Sequence, residues 1–390
     1  MIPYGRHSID DQDIQAVVAQ LRSGSLTQGT TVEEFENHIK NYVGAIYAVA
    51  VSSGSAGLHM AYQAVDMKEG DTLLTSPITF VATTNAAIHL GANVTFADIE
   101  EDTLNISPVS IQKKLNENKN IKIVSPVHFG GLACDMKLIK EKINDTNSFI
   151  VEDAAHALGS AYSDGSLVGN CKYSDMTVFS FHPVKAIAAG EGGMITTNDE
   201  GLYRKLLRLR SHGINKLNDD FLIKDQGFAN GLQNPWYYEM QQIGYNYRIT
   251  DIQCALAISQ LKKLDKFIDK RKELALEYDK AFKNFKYCQP AQILNRNNSG
   301  IHLYILRIDF NNLGKSRAEV MHEMKSMGIG SQVHYIPVPM HPFYKKLGHS
   351  YKDYPVSLKY YEEALSIPLF YELTNQDQKH VIHSLMEIIG

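Results

Sequence analysis

One lysine, Lys185, stands between two apolar, strand-like stretches in the segment at residues 176–193, which reads MTVFSFHPVKAIAAGEGG. Burial against apolar surface disfavours the ammonium form and lowers the pKa of a lysine. A neutral amine can attack an aldehyde and hold it as an imine. The glycines at 190, 192 and 193 would let the backbone pass close to a ligand. Position alone nevertheless favours the alternative, a lysine whose stem reaches solvent from a hairpin.

An acidic pair closes a second apolar stretch, at residues 149–159 (FIVEDAAHALG), where Glu152 and Asp153 are followed by His156. Ligands of open α/β sheets bind beyond the carboxyl ends of the strands. A carboxylate there could keep a pyridinium nitrogen protonated and so make the ring an electron sink. His156 could bind a ring oxygen or orient the carboxylate. An aspartate that caps the next helix is an equally good interpretation of this segment alone.

A Ser/Gly turn at residues 51–58 (VSSGSAGL) separates a strand pattern from a helical one. Exposed N–H groups and hydroxyls at a helix start form a cradle for phosphate. The turn is neither a Walker A loop nor a GxGxxG fingerprint, which argues against a dinucleotide site. Phe80 follows another strand and could stack on a flat cofactor ring, although a core phenylalanine is the commoner case.

Two further segments carry polar groups in aromatic surroundings. Asn246 and Arg248, in residues 244–251 (GYNYRITD), could reach an anion or cap the helix that follows. His334 and His341, in residues 333–342 (VHYIPVPMHP), lack the i, i+4 spacing of a zinc pair, so we expect no metal there. The four cysteines are far apart and predict neither a zinc site nor a disulfide framework.

Short apolar runs alternate with helical patterns through the first two thirds of the chain. Strands are predicted at 47–52, 72–76, 93–98, 121–127, 149–152, 176–181 and 193–197, and helices at 56–67 and 81–90. This alternation is typical of a mainly parallel sheet covered on both faces. Further on, residues 250–285, 319–327 and 376–389 read as helices, and 301–308 and 332–336 as strands. We place a domain boundary near residue 250, which gives domains at 1–249 and 250–390.

Composition restricts the partners. The chain has 390 residues and a formal net charge of −4, so neither a nucleic acid nor an anionic membrane is expected as a partner. No run approaches the roughly 18 apolar residues of a membrane span. The first residues, MIPYGRH, carry no apolar signal core, and the cysteine usage suits a reducing compartment. We therefore expect a cytoplasmic protein.

The segments together resemble the DegT/DnrJ/EryC1/StrS sugar aminotransferases from about residue 2 to residue 385. The resemblance is carried by IPYGRH, LTQG followed by EEFE, SSGSAGL, SPITFVAT, VEDAAHALGS, SFHPVKAIAAGEGG, RSHGI, GYNYRITDIQCALA and QVHYIPV, in this order. FHPVK, RSHGI and PWYYEM at 235–240 look most like the branch that serves pseudaminic acid biosynthesis. That branch aminates C4 of a UDP-linked 4-keto-6-deoxy-N-acetyl-hexosamine. Gly57 departs from the family pattern, which more often has a larger residue there, at some cost in helix propensity.

The resemblance implies a fold type I enzyme of α/β class, with a mostly parallel seven-stranded sheet and a smaller C-terminal α/β domain. It implies pyridoxal 5′-phosphate (PLP) as cofactor, with pyridoxamine phosphate as its amino-carrying form, and L-glutamate and a nucleotide sugar as substrates. It also implies a homodimer with the active site at the subunit interface. The residues that match the family's catalytic and cofactor positions are the Schiff-base lysine Lys185, the pyridinium partner Asp153, His156 beside the ring hydroxyl, the stacking Phe80, the phosphate ligands Ser55, Ala56 and Ser180, and Asn246, which reaches the phosphate from the neighbouring subunit. The residues that match its sugar-nucleotide site are Tyr4, Thr27, Gln28, Gln332, His334 and Tyr335.

Other functions remain open at this point. An aminotransferase for another nucleotide-linked 4-keto or 3-keto deoxysugar would carry the same motifs. A pyridoxamine-dependent 3-dehydratase of this fold would have histidine in place of Lys185. A non-catalytic sugar-nucleotide-binding regulator would need no lysine–aspartate pair, and a nicotinamide-dependent dehydrogenase would need the missing GxGxxG.

Overall fold

A seven-stranded sheet is the centre of the larger part of the computed structural model, which describes residues 1–216, 221–294 and 296–390. Its strands are β1 (Tyr47–Val51), β2 (Thr72–Thr75), β3 (Asn93–Phe96), β4 (Ile121–Ser125), β5 (Phe149–Asp153), β6 (Met176–Ser180) and β7 (Gly193–Thr197). Their order is β1-β7-β6-β5-β4-β2-β3. Only β7 runs antiparallel to its neighbours. The predicted mostly parallel sheet is confirmed, and the bounds of its seven predicted strands agree with the observed ones to within two residues.

Helices cover both faces of this sheet. They are α1 (Asp11–Arg22), α2 (Thr30–Val43), α3 (Gly54–Ala64), α4 (Ala82–His89), α5 (Pro108–Glu117), α6 (Met136–Ile143) and α7 (Glu200–Arg210). Because successive strand residues face opposite sides, Val49 and Val51 of β1 pack on one face of the sheet with α3, α4 and α7. Ala48 and Ala50 of the same strand pack on the other face with α2, α5 and α6, and we call these two layers together the first core.

Short elements form an excursion between residues 214 and 243, which we call the arm. They are β8 (Ile214–Asn215), α8 (Lys224–Gly227), β9 (Phe228–Ala229), β10 (Leu232–Gln233) and β11 (Glu239–Met240). β8 pairs with β11, and β9 pairs with β10. The Glu239 carboxylate accepts hydrogen bonds from the N–H groups of Leu222 and Ile223 and from the Tyr237 hydroxyl. One buried acid thus organises the arm.

The last third of the chain builds a second core on a three-stranded antiparallel sheet. Its elements are α9 (Asp251–Leu261), α10 (Leu264–Phe282), β12 (Cys288–Pro290), β13 (Tyr304–Ile308), α11 (Phe310–Leu313), α12 (Arg317–Ser326), α13 (Pro342–Lys346), α14 (Pro355–Glu363), β14 (Ala364–Ile367) and α15 (Asn375–Ile389). The second core takes residues from α10, α12, α15 and this sheet. Residues of α9 pack instead in the first core, so the chain passes from one core to the other along α10. The domain boundary near residue 250 stays a prediction.

Two sequence predictions in this region are wrong in detail. Residues 250–285 form two helices rather than one, and the break lies at Lys263, whose ammonium pairs with Asp10 and Asp13. Residues 332–336 are not a strand among the described residues, since only Gln332 bridges Ser366 of β14. The proline at 337 has no N–H to continue a ladder, and the segment turns towards the first sheet instead. None of the helices in the described ranges has the length and apolar character needed to span a membrane.

Close packing of α3 against the sheet accounts for a glycine at position 57 of this helix. A Cβ at this position would lie 2.7 Å from Val178 Cγ1 of β6, so the missing side chain lets α3 approach the sheet. We predict that Gly57→Ala lowers the free energy of unfolding by about 1–2 kcal/mol, because overpacking costs roughly 1–3 kcal/mol and better helix propensity returns at most about 1 kcal/mol. Denaturant unfolding measures the change.

The matched control is Gly201→Ala, on the exposed side of α7, where the added Cβ would meet only Asp199 Oδ1, at 3.1 Å. This variant should unfold at the same or slightly higher denaturant concentration. Equal behaviour of the two variants would contradict the packing explanation.

Candidate active site

A cavity of about 670 Å³ opens where β5 and β6 end and α3 begins. This size suits a small organic ligand. It lies at the carboxyl ends of parallel strands, where open α/β sheets bind their ligands. Ten of the fourteen site residues predicted from the sequence line it: Tyr4, Ser55, Phe80, Asp153, His156, Ser180, Lys185, Gln332, His334 and Tyr335.

Lys185 lies in the loop after β6, half-buried in the cavity wall. Removal from water lowers the pKa of its ammonium group to about 8, and the negative charge of Asp153 opposes the shift. The amine is therefore neutral in a substantial fraction of molecules near physiological pH. Lys185 is the only lysine or arginine that lines the cavity in the described part of the chain.

Asp153, the last residue of β5, is buried and fixed by two donors. The Thr83 hydroxyl of α4 donates to Oδ2 at 2.7 Å, and the Ala155 N–H donates to Oδ1 at 3.1 Å. These bonds fix the orientation of the carboxylate. Sequence reasoning missed Thr83, although its hydroxyl one turn after Phe80, at the start of a helix behind a strand, was an available signal.

Glu152, the neighbour of Asp153, points to the opposite face of the sheet and is completely buried. Its carboxylate accepts from His128 Nε2 at 2.6 Å and from the hydroxyls of Tyr162, Ser174 and Thr177. Burial raises the pKa of Glu152, but these donors, led by His128, outweigh it and leave the pKa below its ordinary value. The network therefore anchors the end of β5 from behind the cavity.

Four ring side chains line the cavity with Asp153 and Lys185: Phe80, His156, His334 and Tyr335. Tyr335 has its hydroxyl 3.1 Å from His156 Nε2, and its ring centroid lies 6.0 Å from that of Phe80. Burial, followed by the nearby charge of Lys185, lowers the pKa of His156 well below its ordinary value and that of His334 to about 3. His334 is held through Nδ1, 2.9 Å from the Ser366 hydroxyl of β14. Both imidazoles are neutral at physiological pH.

The amino end of α3 forms the floor of the cavity. Ser53 caps this helix, because its hydroxyl oxygen accepts from the Ala56 N–H at 3.1 Å. A Cβ on Gly54 would lie 2.9 Å from Ser180 Cβ, so the glycine lets the helix start approach the end of β6. The positive end of the helix and the hydroxyls of Ser55 and Ser180 make this floor suitable for an anion.

Four predicted site residues lie outside the cavity lining. The amide of Ala56 is engaged by the Ser53 cap, and Asn246 is exposed and bridges Ser211. Thr27 and Gln28 are also exposed, and Thr27 bridges Thr250. One chain therefore does not bring these four side chains to Lys185.

The fold and this cavity define a member of a known enzyme family. A family model of the DegT/DnrJ/EryC1/StrS aminotransferases matches residues 7–386, and the chain belongs to that family. It is 38% identical to the spore coat polysaccharide biosynthesis protein SpsC of Bacillus subtilis (strain 168), covering all of this chain and 97% of SpsC. It is also 38% identical to the UDP-4-amino-4,6-dideoxy-N-acetyl-beta-L-altrosamine transaminase of Campylobacter jejuni subsp. jejuni serotype O:23/36 (strain 81-176), covering 100% of this chain and 98% of that one.

Solved structures agree with this assignment. Helicobacter pylori PseC, an aminotransferase involved in the biosynthesis of pseudoaminic acid, superposes with a TM-score of 0.90 at 29% identity, over 100% of this chain and 99% of PseC. Spr1654 from Streptococcus pneumoniae in its PLP-form superposes with a TM-score of 0.87 at 27% identity, over 99% of this chain and 98% of Spr1654. Both structures share the fold of this chain over nearly their full length.

The pKa of Lys185 can be tested without cofactor. If the amine titrates at about pH 8, covalent capture of a small aldehyde by the apoprotein should accelerate as pH rises through 8 and then level off, because only the neutral amine attacks. Borohydride quenching and peptide mass analysis give the rate at Lys185. The exposed Lys113 serves as reference within the same digest. A rate at Lys185 that keeps rising in parallel with Lys113 up to pH 10 would contradict the shift.

Proposed function

We propose that this chain is a PLP-dependent aminotransferase that moves the amino group of L-glutamate to C4 of a UDP-linked 4-keto-6-deoxy-N-acetyl-hexosamine, a step of pseudaminic acid biosynthesis. The observation that carries the proposal is the placement of Lys185, with a pKa of about 8, in one cavity with Asp153. Family membership over residues 7–386 supports the reaction class. The relatives named for this altrosamine support the sugar.

The residues of the cavity fit the cofactor. Lys185 would hold its aldehyde carbon, Asp153 its ring nitrogen, and His156, whose Nδ1 has no partner in the described structure, its ring hydroxyl. Phe80, exposed into the cavity, would stack on the ring, and the start of α3 with Ser55 and Ser180 would take the phosphate. Bound PLP supplies an aldehyde that takes up the amino group and a ring that withdraws electrons from the reacting carbon.

The protein's own part in the reaction centres on Lys185. Its neutral amine can take the proton from the α-carbon of glutamate as a general base and return a proton during transfer, since its pKa lies near the working pH. Asp153, hydrogen-bonded to Thr83, would face the ring nitrogen of the bound cofactor. Tyr335 and His334 form part of the cavity wall around these groups.

The sugar nucleotide would enter beside the segment at residues 332–336. Tyr4, Gln332, His334 and Tyr335 line this side of the cavity and offer hydrogen-bonding groups for sugar hydroxyls and the acetamido group. Thr27 and Gln28 remain predictions, since they lie on the exposed surface of the same chain.

A homodimer is part of the proposal. The two carboxylates of glutamate, the diphosphate of the nucleotide sugar and the cofactor phosphate need more positive charge than Lys185 alone provides in the described cavity. The arm carries large exposed apolar side chains, with Leu222 76%, Trp236 75% and Ile243 71% exposed, which is typical of an interaction surface. We infer that a second copy covers the arm and brings its Asn246 to the phosphate.

Action in the cytoplasm is also proposed, and the four free, buried cysteines suit it.

Substrate choice tests the function. Cofactor-loaded protein is incubated with L-glutamate and a panel of UDP-, GDP- and dTDP-linked 4-keto sugars, and amine products are detected by mass. We expect the UDP-linked N-acetyl-hexosulose to react at least about tenfold faster than the others, because each lost polar contact costs roughly 1–3 kcal/mol. Lys185→Ala should give no product with any sugar.

Preference for a different sugar nucleotide would remove the pathway assignment and leave the reaction class. That outcome would favour the role suggested by the equally similar SpsC, whose name places it in spore coat polysaccharide biosynthesis. Turnover by Lys185→Ala at the wild-type rate would contradict the class itself.

Assembly is tested on the arm. Trp236→Asp places a charge on the exposed apolar surface and should shift the protein from dimer to monomer in sedimentation velocity runs, with at least about tenfold lower turnover. The control is Val109→Asp, an equally exposed residue at 73% on α5, away from the arm. A monomeric wild type, or a Trp236→Asp dimer as tight as wild type, would contradict the proposal.

A further inference from the structure

His302 is a buried histidine in the cavity wall that the proposed reaction does not yet use. It precedes β13, is 7% exposed and lines the cavity with Lys185. Its ring lies against that of His156, with centroids 4.4 Å apart and planes 35° from parallel. Its Nδ1 is buried without a hydrogen-bond partner in the described structure. A polar group that is buried and unpaired at a site is costly unless it serves a ligand or a bound water.

The backbone of His302 is fixed from both sides. Its N–H donates to the Gly130 carbonyl at 2.9 Å, and its own carbonyl accepts from Arg271 Nη1 at 3.1 Å. A Cβ on Gly131, whose φ is +97°, would lie 2.9 Å from the His302 nitrogen and 3.1 Å from the His156 oxygen. This glycine lets the segment before β13 approach the loop after β5 closely enough for the rings of His302 and His156 to come into contact.

Arg271 places a buried positive charge behind this pair. Its guanidinium donates hydrogen bonds to the carbonyls of His302 and Leu369, and burial lowers its pKa to about 10, so it remains charged at neutral pH. Burial, followed by the charges of His156, Lys185 and Arg271, lowers the pKa of His302 well below its ordinary value. His302 therefore meets His156 as a neutral, flat ring.

Tyr335 lies against Nε2 of His156. Burial, followed by the charge of Asp153, raises the pKa of the Tyr335 hydroxyl, which keeps its proton, and its oxygen lies 3.1 Å from His156 Nε2. Nδ1 has no protein partner in the described structure, and it carries the proton of the neutral imidazole in the tautomer in which Tyr335 donates to Nε2. This tautomer is a hydrogen-bond donor available to a ligand oxygen.

We propose that His302 is a positioning residue, whose ring packs against His156 and holds it so that the Nδ1–H of His156 donates to the ring hydroxyl oxygen of the cofactor. The inference rests on the proposed function and extends it to a residue that precedes β13. A donor stabilises this oxygen most when the imine nitrogen between Lys185 and the cofactor has lost its proton. Correct placement of His156 therefore lowers the pKa that governs the visible absorption band of the cofactor-loaded protein. Removal of the His302 ring should raise that pKa.

The test compares His302→Ala, which removes the ring, with His302→Phe, which keeps a flat ring and removes the nitrogens. Absorbance titration of the cofactor-loaded protein should give a band pKa about 0.5–1 unit higher in His302→Ala, the size expected for a weakened hydrogen bond, and within about 0.2 units of wild type in His302→Phe. Turnover of His302→Ala should fall about tenfold, while KM for the nucleotide sugar stays within about twofold. His383→Ala, exposed on α15, controls for loss of a histidine and should match wild type.

Dependence on His156 separates positioning from general loosening. His156→Phe alone should raise the band pKa by more than His302→Ala does, and adding His302→Ala to it should shift the pKa no further. An equal shift by His302→Ala in both backgrounds, or a wild-type band pKa in His302→Ala, would overturn the inference. If His302→Ala does not fold, judged by circular dichroism, His302→Asn takes its place with the same expected shift and the same contradicting result.

The proposed function and this inference fail in different ways. A protein that forms no visible band with PLP overturns both. A protein that forms the band and transfers amino groups, with a band pKa indifferent to residue 302, retains the function and loses only the role of His302.

Discussion

The active site depends on one amine that is neutral in a substantial fraction of molecules, beside a carboxylate. Partial removal from solvent in the cavity wall lowers the pKa of Lys185, while the charge of Asp153 opposes the shift. The balance leaves the pKa at about 8, where an amine can act both as nucleophile and as base. A deeper lysine would be a poor acceptor of the proton it must later return, and a more exposed one would be a poor nucleophile.

The sheet topology creates this balance. β5 and β6 are parallel neighbours, so Asp153 and the loop that carries Lys185 leave the sheet at the same edge. The two adjacent acids at the end of β5 have opposite environments because side chains alternate across a strand. The Glu152 carboxylate accepts hydrogen bonds from four side chains on one face of the sheet, whereas the Asp153 carboxylate faces the cavity. Three residues from the last third of the chain complete the cavity wall: His302, His334 and Tyr335.

Sequence reasoning reaches the residues whose chemistry is set by local pattern. Apolar strands that end in polar residues made Asp153 and Lys185 candidates, the family resemblance gave them their roles, and the seven strands followed from runs of apolar residues. It did not find His302, which acts through contact with His156, 146 residues distant, and it passed over Thr83, whose partner Asp153 is 70 residues distant. It assigned residues 332–336 to a strand because their side-chain types suit one, and no local signal shows that the pairing partner is missing. Long-range packing decides such positions, and one sequence does not display it.

The most direct test of the central claim is to load the protein with PLP, reduce it with borohydride and locate the cofactor in a peptide digest. The account predicts one dominant label, on the peptide that contains Lys185, and its loss in Lys185→Ala. Labels spread over several surface lysines, or no reducible label after loading, would contradict the claim that the fold sets this one amine apart from the other lysines of the chain.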